Sequence, residues 1–315
     1  MRTLDAAAVR AAAPIGELID AVEGAFRAVA AGHDRSPIRS RLNAPFGDLL
    51  LMPGLRAGGS GATVKIVTVA PSNATRALPT VQAVVVWLDA ATGEPLAVLD
   101  GTTLTAMRTG AASGAATRLL ARTDAAVMGL IGAGGQAEWQ LRAVCSARPI
   151  REVRVFSRTA SRRDAFAASL QGELGSTSVT AVASAEEAVR GADVVCCATT
   201  SVEPVFDAEW LDPGAHVNGI GAFRLGMAEL PVGLFLRAAL VAVDSRDAAV
   251  AEAGDLVAAI ESGHVAADSL IEIGEIERSW ASTREPHAIT VFKSVGLAIQ
   301  DVAAAEVVMR HLANV

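Results

Sequence analysis

The most specific pattern in the chain is Val127-Met-Gly-Leu-Ile-Gly132-Ala-Gly134-Gly-Gln-Ala137. Five largely apolar residues lead into a glycine turn, and an amphipathic segment from Glu138 to Cys145 follows, so the pattern predicts a strand, a tight turn and a helix. The spacing G-x-G-x-x-A is typical of dinucleotide-binding turns, in which Gly132 permits the turn and Gly134 lets the backbone approach a pyrophosphate. The small Ala137 allows close packing of the helix, whose first N–H groups face the phosphates. A glycine turn of another α/β fold is the alternative.

A second predicted strand, Glu152-Val-Arg-Val-Phe156, follows the turn, and its end indicates the kind of nucleotide. NAD-binding folds usually carry Asp or Glu there, roughly 20 residues after the glycines, for the ribose hydroxyls. Here the chain continues Ser157-Arg158-Thr159-Ala-Ser161-Arg162-Arg163, without an acid. This favours a 2′-phosphate and therefore NADP(H) over NAD(H), with Arg158 as the main contact and Arg162 as the second. The alternative is a solvated helix start with arginines, although cations there oppose the helix dipole.

The rest of the chain alternates between helical and strand-like segments. Such alternation predicts an α/β protein with a doubly wound parallel sheet. In this part of the chain we expect helices at 165–174 and 185–190, strands at 179–182, 193–200, 215–221, 239–244 and 288–292, and a last helix at 294–312. Before the turn we expect helices at 15–31 and 104–120 and strands at 36–42, 48–54, 63–70, 81–87 and 95–99. The segment Asp100-Gly-Thr102-Thr103 before the second of these helices is predicted to be a turn followed by helix caps.

Composition excludes several classes of protein. The 315 residues suffice for two domains, and 51% hydrophobic with 19% charged residues describes a well-packed globular protein. A net charge of −7 argues against nucleic acid as the main partner. The N-terminus lacks the apolar core of a signal peptide, and no apolar run reaches the roughly 18 residues of a membrane span. Cys145, Cys196 and Cys197 lack C-x-x-C spacing, so we interpret them as buried thiols of a cytosolic protein and expect no metal site.

Residue usage singles out Lys65. The chain has no tyrosine, which removes a Tyr proton donor, and only two of its 27 basic residues, Lys65 and Lys293, are lysines. Lys65 lies within the apolar run Thr63-Val-Lys-Ile-Val-Thr-Val-Ala70. Because this strand is apolar on both faces, we expect both faces to be covered and the lysine to need an anion beside it. A lysine that extends along the strand surface into water is the alternative.

Three arginines are further candidates for an anion site. Arg108 is the long polar side chain in the first turns of a helix that otherwise carries small and apolar residues. A buried arginine needs an anionic partner, and no acid lies near it in the sequence, so the substrate is a candidate partner. Arg39 and Arg41 are two residues apart in a predicted strand, so both side chains lie on the same face. Either this strand is an exposed edge with two solvated arginines, or at least one of the arginines points into a cleft.

Several short motifs occur together in a fixed order. They are Pro37-x-Arg39, Leu51-Met-Pro53, Lys65, Asp100-Gly-Thr102, Met107-Arg-Thr-Gly110, the glycine turn, Ala198-Thr-Thr200, Val217-Asn-Gly-Ile-Gly221 and Phe292-Lys-Ser-Val-Gly296. With these motifs the chain resembles the ornithine cyclodeaminase/μ-crystallin family over nearly its whole length. The resemblance implies a substrate and dimerisation domain of α+β type at 1–118, completed by 294–315, a Rossmann-type NAD(P)-binding domain at 119–293, and a homodimer. It further implies that Arg39, Lys65 and Arg108 line the site of the substrate carboxylate, with Arg41 as the alternative to Arg39.

The resemblance also gives an expected set of cofactor contacts. They are Thr80, Thr109, Gly132, Gly134, Gly135, Gln136, Ser157, Arg158, Thr159, Arg162, Thr199, Thr200, Gly221 and Ser294.

One position places the chain within that family. The resemblance implies that a cyclodeaminase has Gly-Gly-Asp or Gly-Ala-Asp after the Asn-x-x-Gly strand, where the acid handles an amino group of the substrate. This chain has Gly221-Ala-Phe223 there. A phenyl ring cannot accept that hydrogen bond, so the chain resembles the ketimine reductases, which reduce Δ1-pyrroline-2-carboxylate and Δ1-piperideine-2-carboxylate. Phe223 is then a substrate contact. A cyclodeaminase, an alanine-type dehydrogenase and a non-catalytic NADPH-dependent binding protein remain as alternatives.

The expected mechanism assigns the carboxylate of a planar cyclic imine to Arg108 and Lys65, assisted by Arg39, with hydride transfer from the cofactor to the imine carbon. At an ordinary lysine pKa near 10.4 we expect Lys65 to orient the carboxylate and the proton to come through water.

Overall fold

The computed structural model describes residues 1–76 and 78–313, which fall into two compact units. The first comprises residues 1–112 and the C-terminal residues from Leu297, and the second comprises Ser113–Gly296. The boundaries expected from the sequence were 118/119 and 293/294. The observed division lies within a long helix and just before the terminal helix.

The strands are β1 (Arg2–Leu4), β2 (Ser40–Ala44), β3 (Gly47–Leu55), β4 (Gly61–Val69), β5 (Val81–Asp89), β6 (Pro95–Asp100), β7 (Val127–Ile131), β8 (Glu152–Phe156), β9 (Ser178–Ala181), β10 (Val194–Cys197), β11 (His216–Gly219), β12 (Ala238–Val243), β13 (Ile271–Glu272) and β14 (Ile289–Lys293). The α-helices are α1 (Ala6–Ala11), α2 (Ile15–Ala30), α3 (Gly101–Leu120), α4 (Ala137–Ala147), α5 (Ala160–Leu170), α6 (Ala185–Val189), α7 (Val232–Arg237), α8 (Arg246–Glu252), α9 (Gly254–Glu261), α10 (Trp280–Thr283) and α11 (Ala298–Ala313). Short 3₁₀ helices lie at Pro71–Thr75, Ala208–Trp210, Ala267–Ser269 and Ile273–Glu275.

The first unit is built on a six-stranded sheet in the order β1-β6-β5-β4-β3-β2. Its pairs are antiparallel except for the parallel pair β1 and β6. Helix α11 packs against β3, β4 and α2, so it covers one face of the sheet. The packing is close at Gly54, where a Cβ atom would lie 2.8 Å from Cγ2 of Val302, so a larger residue would displace the helix. The expected α+β unit is therefore present.

The opposite face of this sheet corrects one expectation. Leu51, Ile66 and Val84 are direct cross-strand neighbours, and they are exposed to 42%, 39% and 43%. The expectation that β4 is covered on both faces is therefore wrong for the isolated chain. Apolar residues on both faces of a strand indicate that both faces are packed against something, but they do not indicate that the packing element belongs to the same chain.

The second unit contains an eight-stranded sheet in the order β13-β12-β14-β11-β10-β7-β8-β9, and every pair is parallel. The expected doubly wound Rossmann-type sheet is thereby confirmed. Gly132 adopts φ +114°, and a Cβ atom there would lie 2.4 Å from the carbonyl oxygen of Ala198. Only glycine satisfies both the backbone conformation and this close approach.

Several element boundaries differ from the sequence expectations. Helix α3 begins at Gly101 because Oδ1 of Asp100 accepts from the backbone N–H of Thr103 at 2.7 Å, so Asp100 is the cap and Thr103 is not. Thr102 instead accepts from the N–H of Ala83 on β5. Helix α5 starts five residues earlier than expected (165 − 160), and the terminal helix starts at 298 and not at 294. In the described part of the chain no helix combines the length and apolar character needed to cross a bilayer.

Candidate active site

Lys65 lies on the buried face of β4. Its neighbours in the strand alternate between buried and less buried positions, and this alternation turns the lysine towards the helix-covered face. Its Nζ lies 2.9 Å from Oδ1 and 2.7 Å from Oδ2 of Asp301 on α11. The two side chains are exposed to 1% and 0%, so this is a fully buried ion pair within the first unit.

Arg108 on α3 contacts the same carboxylate. Its Nε lies 3.1 Å from Oδ1 of Asp301, and its Nη1 donates to Oε1 of Gln300 at 2.5 Å. The anion that the sequence analysis required beside Lys65, and the partner it sought for Arg108 in the substrate, is therefore an acid of the chain itself. Asp301 is separated from them by 236 and 193 residues, so the local sequence could not reveal it.

The cluster nevertheless keeps an excess of positive charge. Two cationic side chains share one carboxylate, and the half-buried Arg39 lies close enough to act on Lys65 electrostatically. Burial and the charges of Arg108 and Arg39 lower the pKa of Lys65 to about 7, although Asp301 acts in the opposite direction. The assumption of an ordinary lysine pKa is wrong for the same reason: desolvation penalises the ammonium form. Lys65 can therefore lose its proton near neutral pH.

The two arginines near β2 are in different surroundings. The strand begins at Ser40, so Arg39 precedes it, and the expected strand over 36–42 is too long at its start. Arg41 is exposed and pairs with Asp48 of β3 at 2.8 Å. Arg39, by contrast, acts electrostatically on Lys65.

The glycine turn of the second unit fits a dinucleotide. Gly134 and Gly135 have no atom within 4 Å of an added Cβ, so the turn leaves open space beside its backbone. Oε1 of Gln136 is buried and has no hydrogen-bond partner among residues 1–76 and 78–313. Ala137 is fully buried at the start of α4, as the spacing of the turn requires. An open glycine turn before a helix start lets backbone N–H groups approach a phosphate.

The end of β8 presents the predicted cations. Arg158 and Arg162 are exposed, and neither forms an ion pair with any residue in the described part of the chain. Thr159 is the cap residue of α5 and its hydroxyl makes no capping bond, while Ser157 accepts at its carbonyl from Nη1 of Arg163. Arg163, which the sequence analysis did not select, also lies over the ring of Phe156 at 6.0 Å.

A buried acid that the sequence analysis missed joins the ends of β10 and β11. Glu229 accepts from the backbone N–H of Thr199 at one carboxylate oxygen and from those of Gly221 and Ala222 at the other. Burial raises the pKa of Glu229, while the charge of Lys293 and the hydrogen bond from Thr199 act in the opposite direction. Through these hydrogen bonds Glu229 fixes the backbone at the carboxyl ends of the two strands. This is the edge at which ligands bind in open parallel sheets.

The other predicted contacts have mixed surroundings. Thr200 is exposed, Phe223 and Thr80 are half-buried, and the hydroxyl of Thr109 donates to the carbonyl of Thr105 at 2.7 Å. Ser294 is buried, and its hydroxyl lies 2.7 Å from Oδ2 of Asp244.

The second lysine of the chain has a structural role. Lys293 at the end of β14 pairs with Asp255 at 3.2 Å, and both side chains are fully buried within the second unit. Among the described residues, no group of three or more His, Cys, Asp or Glu is placed to hold a metal ion.

Comparison with known proteins gives a match over almost the entire chain. The model of the ornithine cyclodeaminase/mu-crystallin family matches residues 2–314. The Δ1-pyrroline-2-carboxylate reductase of Bacillus cereus strain ATCC 14579 is 38% identical over 298 residues, which are 93% of this chain and 90% of that protein.

Two solved structures share the architecture. The Δ1-pyrroline-2-carboxylate reductase of Thermococcus litoralis, in complex with NADH and L-proline, superposes with a TM-score of 0.93 at 33% identity, covering 100% of this chain and 98% of that one. An archaeal alanine dehydrogenase dimer with bound NAD superposes with a TM-score of 0.89 at 35% identity, covering 100% and 96%.

Proposed function

Because this chain belongs to the ornithine cyclodeaminase/mu-crystallin family, we propose that it reduces cyclic ketimine carboxylates with NADPH. The substrates are Δ1-pyrroline-2-carboxylate and Δ1-piperideine-2-carboxylate, and the products are L-proline and L-pipecolate. One observation supports this most strongly: Lys65 and Arg108 share a single buried carboxylate, so with Lys65 protonated the cluster has one positive charge in excess. A substrate with one carboxylate neutralises that charge, and the similar reductases from B. cereus and T. litoralis are named for such a substrate.

Arg108 and Lys65 are the proposed catalytic residues. Asp301 holds both side chains in place, so the two cations are already oriented when the substrate carboxylate binds. Charges that are fixed in a site without water need little reorganisation during the reaction. Arg39 adds to the positive potential. Phe223 offers an apolar ring and no acid, which suits an imine better than the diamine of a cyclodeaminase.

Lys65 is also the proposed proton donor. A group donates protons efficiently when its pKa lies near the working pH, and burial brings the pKa of Lys65 to about 7. The chain has no tyrosine to compete for this role. Proton transfer from Lys65 to the ring nitrogen therefore replaces the water-mediated transfer expected from an ordinary lysine.

The cofactor supplies hydride, which is the chemistry of a reduced nicotinamide. Gly132, Gly134, Gly135 and Gln136 would hold its pyrophosphate, since the turn is open and its backbone N–H groups can face the phosphates. Arg158 and Arg162 would hold the 2′-phosphate of NADPH, because both are exposed cations without an ion pair among the described residues.

The strand-end residues Ser157, Thr159, Thr199, Thr200 and Gly221 complete the proposed cofactor site within the second unit. Thr80, Thr109 and Ser294 are assigned to it only by the family resemblance.

A second copy of the chain is the proposed partner. The uncovered face of the six-stranded sheet carries Leu51, Ile66 and Val84 side by side, and exposed apolar surface of this kind marks an interaction site. The similar archaeal alanine dehydrogenase is a dimer. The first unit is thus the proposed substrate and dimerisation domain.

Cys145, Cys196 and Cys197 are free thiols, which suits a reducing cytoplasm.

Oxidation of NADPH with the five- and six-membered imine carboxylates, repeated with NADH, tests the proposed function. We expect turnover with both rings, with NADPH preferred. Lys65→Ala and Arg108→Ala should lose turnover and keep NADPH affinity. Oxidation of L-alanine by NAD⁺ with release of ammonia, in place of imine reduction, would assign the chain to the alanine dehydrogenases, and tight NADPH binding without turnover would indicate a binding protein.

A further inference from the structure

Gln300 lies beside the cationic cluster, and its contacts determine which way its amide points. It is in the first turn of α11 and is fully buried. Its Oε1 accepts from Nη1 of Arg108 at 2.5 Å and from the backbone N–H of Leu297 at 3.2 Å. Both partners can only donate, so the atom that faces them must be the oxygen and not the amide nitrogen. The orientation of the side chain follows from these two contacts.

The other end of the same amide lacks a partner. Nε2 of Gln300 is buried and makes no hydrogen bond with any residue in 1–76 or 78–313. Folded proteins rarely leave a buried donor unpaired, because the donor has lost its water and gained nothing in return. An acceptor from a bound molecule would remove this cost.

The surroundings determine what kind of acceptor fits. Arg108 and protonated Lys65 offer only N–H donors, and within residues 1–76 and 78–313 Asp301 is the one carboxylate that contacts both. Donors that converge around a net positive charge fit a group that only accepts, and an ionised carboxylate is such a group.

We propose that Nε2 of Gln300 donates a hydrogen bond to a carboxylate oxygen of the substrate. This inference rests on the proposed function, because it assumes that the cluster of Lys65, Arg108 and Asp301 receives the substrate carboxylate. Gln300 then has two tasks: its oxygen holds Arg108, and its nitrogen contacts the ligand. It recognises the charged end of the substrate and is indifferent to ring size.

The substitution Gln300→Glu separates these two tasks. Glutamate keeps an oxygen for Arg108 and Leu297, and it replaces the donor nitrogen with a second, negatively charged oxygen. The probe is pyrrole-2-carboxylate, a flat five-membered ring acid, with binding measured by titration calorimetry in the presence of NADPH. We expect its Kd to rise on the order of a hundredfold, since a donor is lost and two like charges face each other. The Kd of NADPH should stay at the wild-type value.

Gln171→Glu is the matched control. Gln171 is exposed in the second unit, and its Oε1 accepts from the N–H of Val179, so the same substitution keeps the acceptor there too. We expect no change in pyrrole-2-carboxylate binding. If Gln300→Glu does not fold, Gln300→Met, which removes the donor together with the oxygen that holds Arg108 and adds no charge, should still raise the Kd at least about tenfold.

Two results would overturn the assignment of Gln300. One is wild-type affinity for pyrrole-2-carboxylate in Gln300→Glu, or in Gln300→Met if that variant has to replace it. The other is a wild-type protein that binds neither this acid nor L-proline. In the first case the proposed reductase activity stands if the wild-type enzyme turns over the imines. If the wild-type protein binds the acid through Gln300 but reduces no imine, the proposed function fails and the assignment of Gln300 as a carboxylate contact remains.

Discussion

Replacing Asp301 with asparagine removes the charge that Lys65 and Arg108 share and leaves the shape of the side chain almost unchanged. The carboxylate lies 2.7 Å from Nζ of Lys65 and 3.1 Å from Nε of Arg108, and all three groups are buried. Removing one partner of a buried ion pair costs about 3–5 kcal/mol, because the remaining charge is left uncompensated. We therefore expect Asp301→Asn to lower the free energy of unfolding by an amount of this order.

The pH dependence of that loss has a definite sign. At pH 6, below its pKa of about 7, Lys65 is charged in the folded wild-type protein, so Asp301 stabilises two buried cations there and the variant loses both contributions. At pH 9, above its pKa of about 7, Lys65 is neutral and only Arg108 is left uncompensated. The loss of stability on substitution should therefore be larger at pH 6 than at pH 9, as measured by urea denaturation.

The same substitution should move the pH profile of kcat/KM, which reports the pKa values of the free enzyme. In the wild-type enzyme we expect activity to fall as pH rises through about 7, where Lys65 loses its proton. Asp301 raises the pKa of Lys65, so without it the falling limb should move to lower pH. Asp48→Asn is the control, because Asp48 pairs with the exposed Arg41 in the same unit. A limb that stays in place in Asp301→Asn would refute the role of Lys65.

Three further substitutions test the cofactor site and the partner. Arg158→Ala should reduce the preference for NADPH over NADH about tenfold or more, since one charge-assisted hydrogen bond is lost; an unchanged ratio would remove the 2′-phosphate assignment. Glu229→Gln should weaken NADPH binding on the order of tenfold, because the new amide nitrogen must face a backbone N–H. The control Glu261→Gln, at an exposed position, should leave NADPH binding unchanged. Ile66→Arg should shift the mass in analytical ultracentrifugation from twice 32.2 kDa to 32.2 kDa, whereas a monomeric wild type would contradict the proposed partner.

The elements that the sequence predicted well are those with a local pattern. The run from Val127 to Ala137 predicted β7, the turn and α4, because its apolar lead and the spacing of its glycines and alanine form a local pattern that needs no distant residue to be recognised. The parallel sheet followed from the alternation of segments along the chain. The burial of Lys65 was also expected, although β4 is covered on one face only.

The counter-ion of the cationic cluster could not be predicted in the same way. Asp301 meets Lys65 only because α11 returns to the first sheet, and no local rule connects residues 236 positions apart. A signal was nevertheless present: between Leu297 and Ala305, Gln300 and Asp301 are the only polar residues in an otherwise apolar segment. Polar groups in such a position need partners when they are buried, which identifies them as candidates for a site.

Glu229 gave a weaker signal. It stands between Ala228 and Leu230 in a segment without regular helix or strand, so no periodicity predicts its burial. Its partners are backbone N–H groups at the ends of two strands, and such groups carry no sequence pattern of their own.

The presence of a carboxylate site is tested most directly by comparing two substrates that differ only in that group. The measurement is kcat/KM of the wild-type enzyme with NADPH for Δ1-pyrroline-2-carboxylate and for Δ1-pyrroline, the same ring without the carboxylate. Because the buried donors lose their acceptor with the second substrate, its kcat/KM should be lower by a factor on the order of 10⁴. Similar kcat/KM values for the two rings would mean that Lys65, Arg108 and Asp301 do not receive a substrate carboxylate.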